Sequence, residues 1–140
     1  MTAEGIKLTV GSAYPLAEEL TMRVRGRDVL TGLPKEITVN SQEIRKAMHG
    51  SIRSIIVAIK NTIEETPPEL IADLINRSII LAGGGSLLRG LEELINHETN
   101  LPVKIIDDPL TSVVRGCGMV LEHIEELKPI LVWSAKEAYI

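Results

Sequence analysis

Ile79-Ile80-Leu81-Ala82-Gly83-Gly84-Gly85-Ser86-Leu87-Leu88-Arg89-Gly90 is the stretch that decides the fold of this chain. A short apolar run of strand character leads straight into three glycines, and an amphipathic helical pattern follows. Glycine has no Cβ and adopts positive φ at little cost, so such a backbone can press its N–H groups against a ligand. A helix start just beyond would add unpaired donors and a partial positive charge. That combination suits the sugar and phosphates of a nucleotide. It equally suits a tight strand-to-helix turn, although a turn needs one or two glycines and rarely three. The spacing excludes two common phosphate motifs. Arg89 and Gly90 fall in the wrong places for a loop ending Gly-Lys-Ser/Thr, and GxGxxG is absent.

Outward from the glycines, the pattern alternates. Pro68, Glu69, Leu70, Ile71, Leu74 and Ile75 predict a helix with proline in its first turn. Ser78 to Leu81 predicts a strand, and Ser86 to His97 a helix with Leu87, Leu88, Leu91, Leu94 and Ile95 inward. Val103 to Ile106 predicts a strand, and Pro109 to Leu127 a last helix. This alternation predicts neighbouring parallel strands covered by helices, an α/β arrangement. Toward the N-terminus, Thr2 to Leu8 reads as a short helix end, closed by Gly11-Ser12-Ala13-Tyr14-Pro15. Leu20 to Arg25 alternates with Leu20, Met22 and Val24 inward, and with Glu36 to Val39 it predicts an antiparallel hairpin. Asn40 or Ser41 is an N-cap with Glu43 in capping-box spacing. A long helix follows with Ile44, Ala47, Met48, Ile52, Ile55, Ile56, Ile59 and Ile63 as its apolar stripe. His49-Gly50 is a point of kinking, and Thr66-Pro67-Pro68 is the stop.

Composition removes several function classes. The 140 residues suffice for one domain or two small lobes, and 44% are apolar, without a single Phe. One Trp and two Tyr leave few stacking platforms for single-stranded nucleic acid, and a net charge of −4 argues against a general DNA or RNA binder. The lone Cys117 cannot form an internal disulfide, and the three separated histidines lack zinc-ligand spacing. No run is long and apolar enough to span a bilayer, and no signal peptide is visible. Lys7 reads as solvated rather than as a ligand contact, and Arg23, Arg25 and Arg27 as an outer strand face. Asp107-Asp108-Pro109 reads as a helix cap rather than a metal pair, and Cys117 as a small packing residue between Gly116 and Gly118. No self-sufficient catalytic constellation is present.

Several stretches taken together resemble the C-terminal part of the MreB/Mbl family of bacterial actin-like rod-shape proteins. They are Thr2-Ala3-Glu4-Gly5-Ile6-Lys7, Gly11 to Pro15, Arg25 to Asp28 with Thr31 to Lys35, and Glu64-Glu65-Thr66-Pro67-Pro68-Glu69-Leu70. The glycine motif Gly83 to Leu91 and Asp107 to Thr111 complete them. The order and spacing match from about residue 2 to residue 126. The Thr-Pro-Pro-Glu-Leu stretch sets the chain apart from sugar kinases and Hsp70-type proteins, which share the glycine turn. The resemblance implies an α/β actin-like ATPase (ribonuclease H-like) fold, represented by a second-lobe portion with a small α+β subdomain. Residues 1–48 would belong to the outer small subdomain and 49–112 to the inner one. Residues 113–140 would form a helix and tail that pack on a first lobe outside this chain.

By the same resemblance, ATP contacts would come from Ile6, Lys7, Leu8 and Thr9 and from Gly84, Gly85, Ser86 and Leu87, all around the adenosine. The family commonly has an acidic residue where Thr9 stands. The phosphate loops and the Mg²⁺-coordinating Asp lie upstream in the family and are missing from these residues. ATP hydrolysis by this chain alone is therefore not expected, because phosphoryl transfer depends on positioning and charge stabilisation at the phosphates. The implied function is a fragment of a cytoskeletal protein. It would form filaments with itself at the cytoplasmic, inner face of the cell membrane, and would work with cell-wall elongation proteins in peptidoglycan synthesis. The alternative is an interaction domain that kept the fold and lost the nucleotide. No nucleic-acid partner is expected. The tail from Leu127 to Ile140 matches no family pattern.

Overall fold

The computed structural model describes residues 2–131. Expectations for the tail beyond Leu131, including Trp133, lie outside the described residues. Helix α1 (Ala3–Val10) starts where Thr2 Oγ1 accepts the Gly5 N–H at 3.2 Å. Strands β1 (Thr21–Arg27) and β2 (Pro34–Asn40) form the antiparallel hairpin, with Met22 opposite Val39 and Val24 opposite Ile37. Helix α2 (Ser41–Glu65) opens with the predicted capping box. Asn40 Oδ1 accepts the Glu43 N–H at 2.9 Å, and Glu43 returns a carboxylate to the Asn40 N–H at 3.0 Å. The helix runs unbroken through Gly50.

Helix α3 (Pro68–Arg77), strand β3 (Ile79–Leu81), helix α4 (Leu91–Thr99) and strand β4 (Val103–Ile105) follow. The two strands pair in parallel, Ile79 beside Val103 and Leu81 beside Ile105, with α4 as the crossover. Ala13, Ile52, Ile56, Leu91, Ile95 and Val103 form the buried core, flanked by Met48, Ile59, Ile79, Leu81, Leu88 and Leu94. Burying each large aliphatic side chain contributes about 1.5–3 kcal/mol.

Three expectations are corrected. The helix read from Ser86 begins only at Leu91. Gly84–Leu87 is a single 3-10 turn, Leu88 is extended, and Gly90 sits at φ +74°. Gly90 is required there because a Cβ would meet the Tyr14 Cβ at 2.8 Å. Second, Ile55 leaves the core stripe and Leu87 leaves the helix face, both about half exposed. The buried positions of α2 are Ser41, Ile52 and Ile56, so the stripe is narrower than the run of isoleucines implies. Third, the last helix is shorter at both ends. Asp108 takes φ +51°, α5 spans Ser112–Glu122, and a break at His123 separates it from α6 (Ile124–Leu127). The α5 side chains Val113, Val114, Met119 and Leu121 are exposed, as is Cys117, which is therefore not the buried packing residue expected.

A polar cluster ties the hairpin to the rest. Ser12 is fully buried, and its hydroxyl accepts Arg45 N–H groups at 2.9 and 3.1 Å. The Arg45 guanidinium also meets Glu19 at 2.8 Å. Ser41 Oγ donates to Glu19 and accepts the Leu20 N–H at 2.9 Å. The Ser41 hydroxyl and then the Arg45 guanidinium hold the Glu19 carboxyl below its ordinary pKa.

Candidate functional site

The loop after α1 docks on the segment after the glycines. Ala13 N–H donates to the Arg89 carbonyl at 2.7 Å, and Ser12 bridges Arg89. Arg89 Nη1 donates to the carbonyls of Leu8 and Thr9, each at 3.0 Å. These carbonyls belong to the last turn of α1 and have no partner within the helix, so the guanidinium caps it. Residues about 80 apart in sequence are thereby held side by side.

Between α1, α2, β3 and the glycine turn lies a cavity of about 500 Å³. That volume is within the range of small-molecule sites. Lys7, Leu8, Gly84, Gly85, Ser86 and Leu87 all line it. Ile6 and Thr9 do not: Ile6 is half-buried on the helix, and Thr9 Oγ1 donates to the Gly5 carbonyl at 2.8 Å. Met48, Ser51, Ile55 and Ile59 of α2 supply a wall that the sequence reading assigned elsewhere or passed over. The signal was present, since isoleucines at 52, 55, 56 and 59 cover a wider arc than one core face needs.

The glycines divide into two kinds. Gly83 holds φ +80° and ψ 168°, a region essentially reserved for glycine. Gly85 has ordinary φ, and an added Cβ would meet nothing within 4 Å. The N–H groups of Gly84 and Gly85 find no acceptor among the described residues. Ser86 is buried, and its hydroxyl donates to the Gly83 carbonyl at 2.7 Å, closing the turn. The expected macrodipole contribution of a long helix is lost here, because one 3-10 turn replaces it. The ionisable lining residues are Lys7 and Arg89. Without a carboxylate or imidazole in the wall, the geometry supports binding rather than proton transfer. Among the described residues no group of three or more His, Cys, Asp or Glu could hold a metal ion.

A family model described as MreB/Mbl protein matches residues 1–129. The chain is 43% identical over 126 residues to the cell shape-determining protein Mbl of Bacillus subtilis, covering 90% of this chain and 38% of that one. It is 45% identical over 124 residues to the cell shape-determining protein MreB of Escherichia coli, covering 89% and 36%. The chain thus spans little more than a third of the curated relatives it matches. The crystal structure of MreB5 of Spiroplasma citri bound to ADP superposes with a TM-score of 0.83 at 34% identity, covering 89% of this chain and 38% of that one. A second MreB5 structure, bound to AMPPNP, gives a TM-score of 0.81. The α/β actin-like fold expected from the sequence is the fold of these structures. On this evidence of sequence and fold, the chain belongs to the MreB/Mbl family of actin-like, cell shape-determining proteins.

Proposed function

We propose that the cavity beside the glycine turn takes the adenosine half of ATP, and that the chain is the adenosine-side part of a filament-forming cytoskeletal ATPase. The observation that carries this reading is Gly85. The turn does not need a glycine there, yet the position carries no side chain and faces open space beside backbone donors that find no acceptor among the described residues. Aliphatic side chains of α2 offer an apolar wall for a base, and Lys7 stands at the rim. Of the eight proposed contact residues, Lys7, Leu8, Gly84, Gly85, Ser86 and Leu87 share the cavity. Ile6 and Thr9 act at most through the helix that carries them. Mg²⁺ takes oxygen ligands from carboxylates and phosphates, and the lining residues offer no carboxylate. The metal does not fit this part of the site.

On the same reading, residues 1–48 are the outer subdomain, 49–112 the inner one, and 113–140 return to the first lobe. The exposed apolar face of α5 supports that last assignment. Val29 and Leu30 at the hairpin tip are 97% and 96% exposed. The loop that presents them is pinned by Asp28, whose Oδ1 accepts the Leu30 N–H at 2.9 Å. Aliphatic side chains held out on an ordered loop support self-association into filaments. Those filaments would lie on the cytoplasmic side of the membrane and guide cell-wall synthesis. No helix among the described residues is long and apolar enough to cross a membrane.

Calorimetric titration with ATP tests the binding. Saturable heat that adenosine also produces, and that Gly85→Leu abolishes without loss of fold, is the expected result. Absence of heat with both ligands would favour the alternative, an interaction domain without a nucleotide. No phosphate release is expected from this chain alone.

A further inference from the structure

A second groove of about 410 Å³ adjoins α2 on another face, closed on its far side by Leu94 and Glu98 of α4. Its apolar lining is exposed Val57 and half-buried Leu94, over the nearly buried core residues Ala13, Ile52 and Ile56. Its rim is cationic. Arg45, His49 and Arg53 follow each other at four-residue spacing, one row on the helix, and Lys60 stands two turns on. Two of its three cations, Arg45 and Lys60, are already engaged. Arg45 holds Glu19 and Ser12, and Lys60 Nζ lies 2.5 Å from Glu98 Oε2. His49 and Arg53 have no carboxylate within 4.0 Å among the described residues. Arg53 and Val57 also line a shallower hollow with Gly50 and Asn61, so the two depressions share them.

In a chain of net charge −4, an exposed arginine beside an apolar floor is a local reversal of sign. We propose that this groove docks an acidic segment of a partner protein, with an apolar side chain on the floor and a carboxylate on Arg53. Charge complementarity names the occupant. Arginine offers a planar fork to a carboxylate, and an apolar floor rewards an amphipathic helix or strand. A nucleic-acid backbone fits worse, because two of the three cations are already paired and no Phe or Trp lines the groove for base stacking. This surface is separate from the glycine-turn cavity and does not rest on nucleotide binding.

Fluorescence anisotropy with a fluorescein-labelled amphipathic peptide of Glu and Leu tests it. Saturable binding is expected, weakened about tenfold or more by Arg53→Glu. Lys46→Glu, the same charge change at an exposed α2 position outside the groove, is expected to leave it nearly unchanged. A peptide with Lys in place of Glu is expected to bind the Arg53→Glu variant better than the original chain. Both variants should melt as the parent does, and ATP titration of Arg53→Glu should match the parent. No saturable binding, equal loss in both variants, or binding that survives Arg53→Glu would overturn the proposal.

Discussion

Gly83 and Gly85 are two residues apart in one turn, yet they should respond oppositely to alanine. At Gly83 the backbone sits at φ +80° and ψ 168°. An L residue forced into that region costs about 1–3 kcal/mol, even though the space beside Gly83 is open. At Gly85 the φ is ordinary and a Cβ meets nothing within 4 Å. Alanine there restricts the unfolded chain more than it disturbs the folded one, a gain of about 0.4–1 kcal/mol. The two variants should therefore differ by about 1.5–4 kcal/mol. For a domain of this length each kcal/mol moves the melting temperature by roughly 3–5 °C. Calorimetric or circular-dichroism melts of the parent, Gly83→Ala and Gly85→Ala read this difference directly. The ligand arm reverses the order of concern: Gly85→Leu keeps the fold but fills the cavity, so ATP-induced stabilisation should vanish. If Gly85→Ala destabilises as much as Gly83→Ala, the third glycine is structural and the argument from its open side fails.

Ile95, 1% exposed at the centre of the core, should cost about 2–5 kcal/mol on truncation to alanine, read as a shift in urea midpoint at constant slope. Asn40→Ala removes the capping box at the start of α2 and should cost about 0.5–2 kcal/mol, with Asn40→Ser nearly neutral. Glu19, Asp28 and Glu98 are each held below their ordinary values, by Ser41 and Arg45, by Lys35, and by Lys60 respectively. A depressed carboxylate contributes stability that is present above its unfolded value and is lost as the pH falls through the folded one. The urea midpoint should thus hold from pH 7 to the unfolded values of 4.5 and 3.8 and decline below them. Glu19→Gln should flatten part of that decline; an unchanged slope would remove Glu19 from the account.

Much of this chain is local chemistry that can be read from the order of its residues. The capping box at Asn40 and Glu43, the stop at Thr66-Pro67-Pro68, and the individual strands and helices each depend on residues close along the chain. Propensity, capping and period therefore reveal them. The strand-then-glycine order likewise announces a turn, and the quoted stretches announce the family. Where that turn ends, and what stands beside it, depend on distant segments packed against it. The helix starts at Leu91 instead of Ser86, after a Gly90 at φ +74° whose Cβ-free side is filled by Tyr14 from a distant loop. Lys7 and Leu8 reach the cavity, while Thr9 turns back on its own helix, because Arg89 fixes the end of α1 there. Ile55 faces the cavity and Ile56 the core, a division that depends on which neighbours arrive on each side of α2. Periodicity marks an apolar face, but it carries no record of the partner that will cover it.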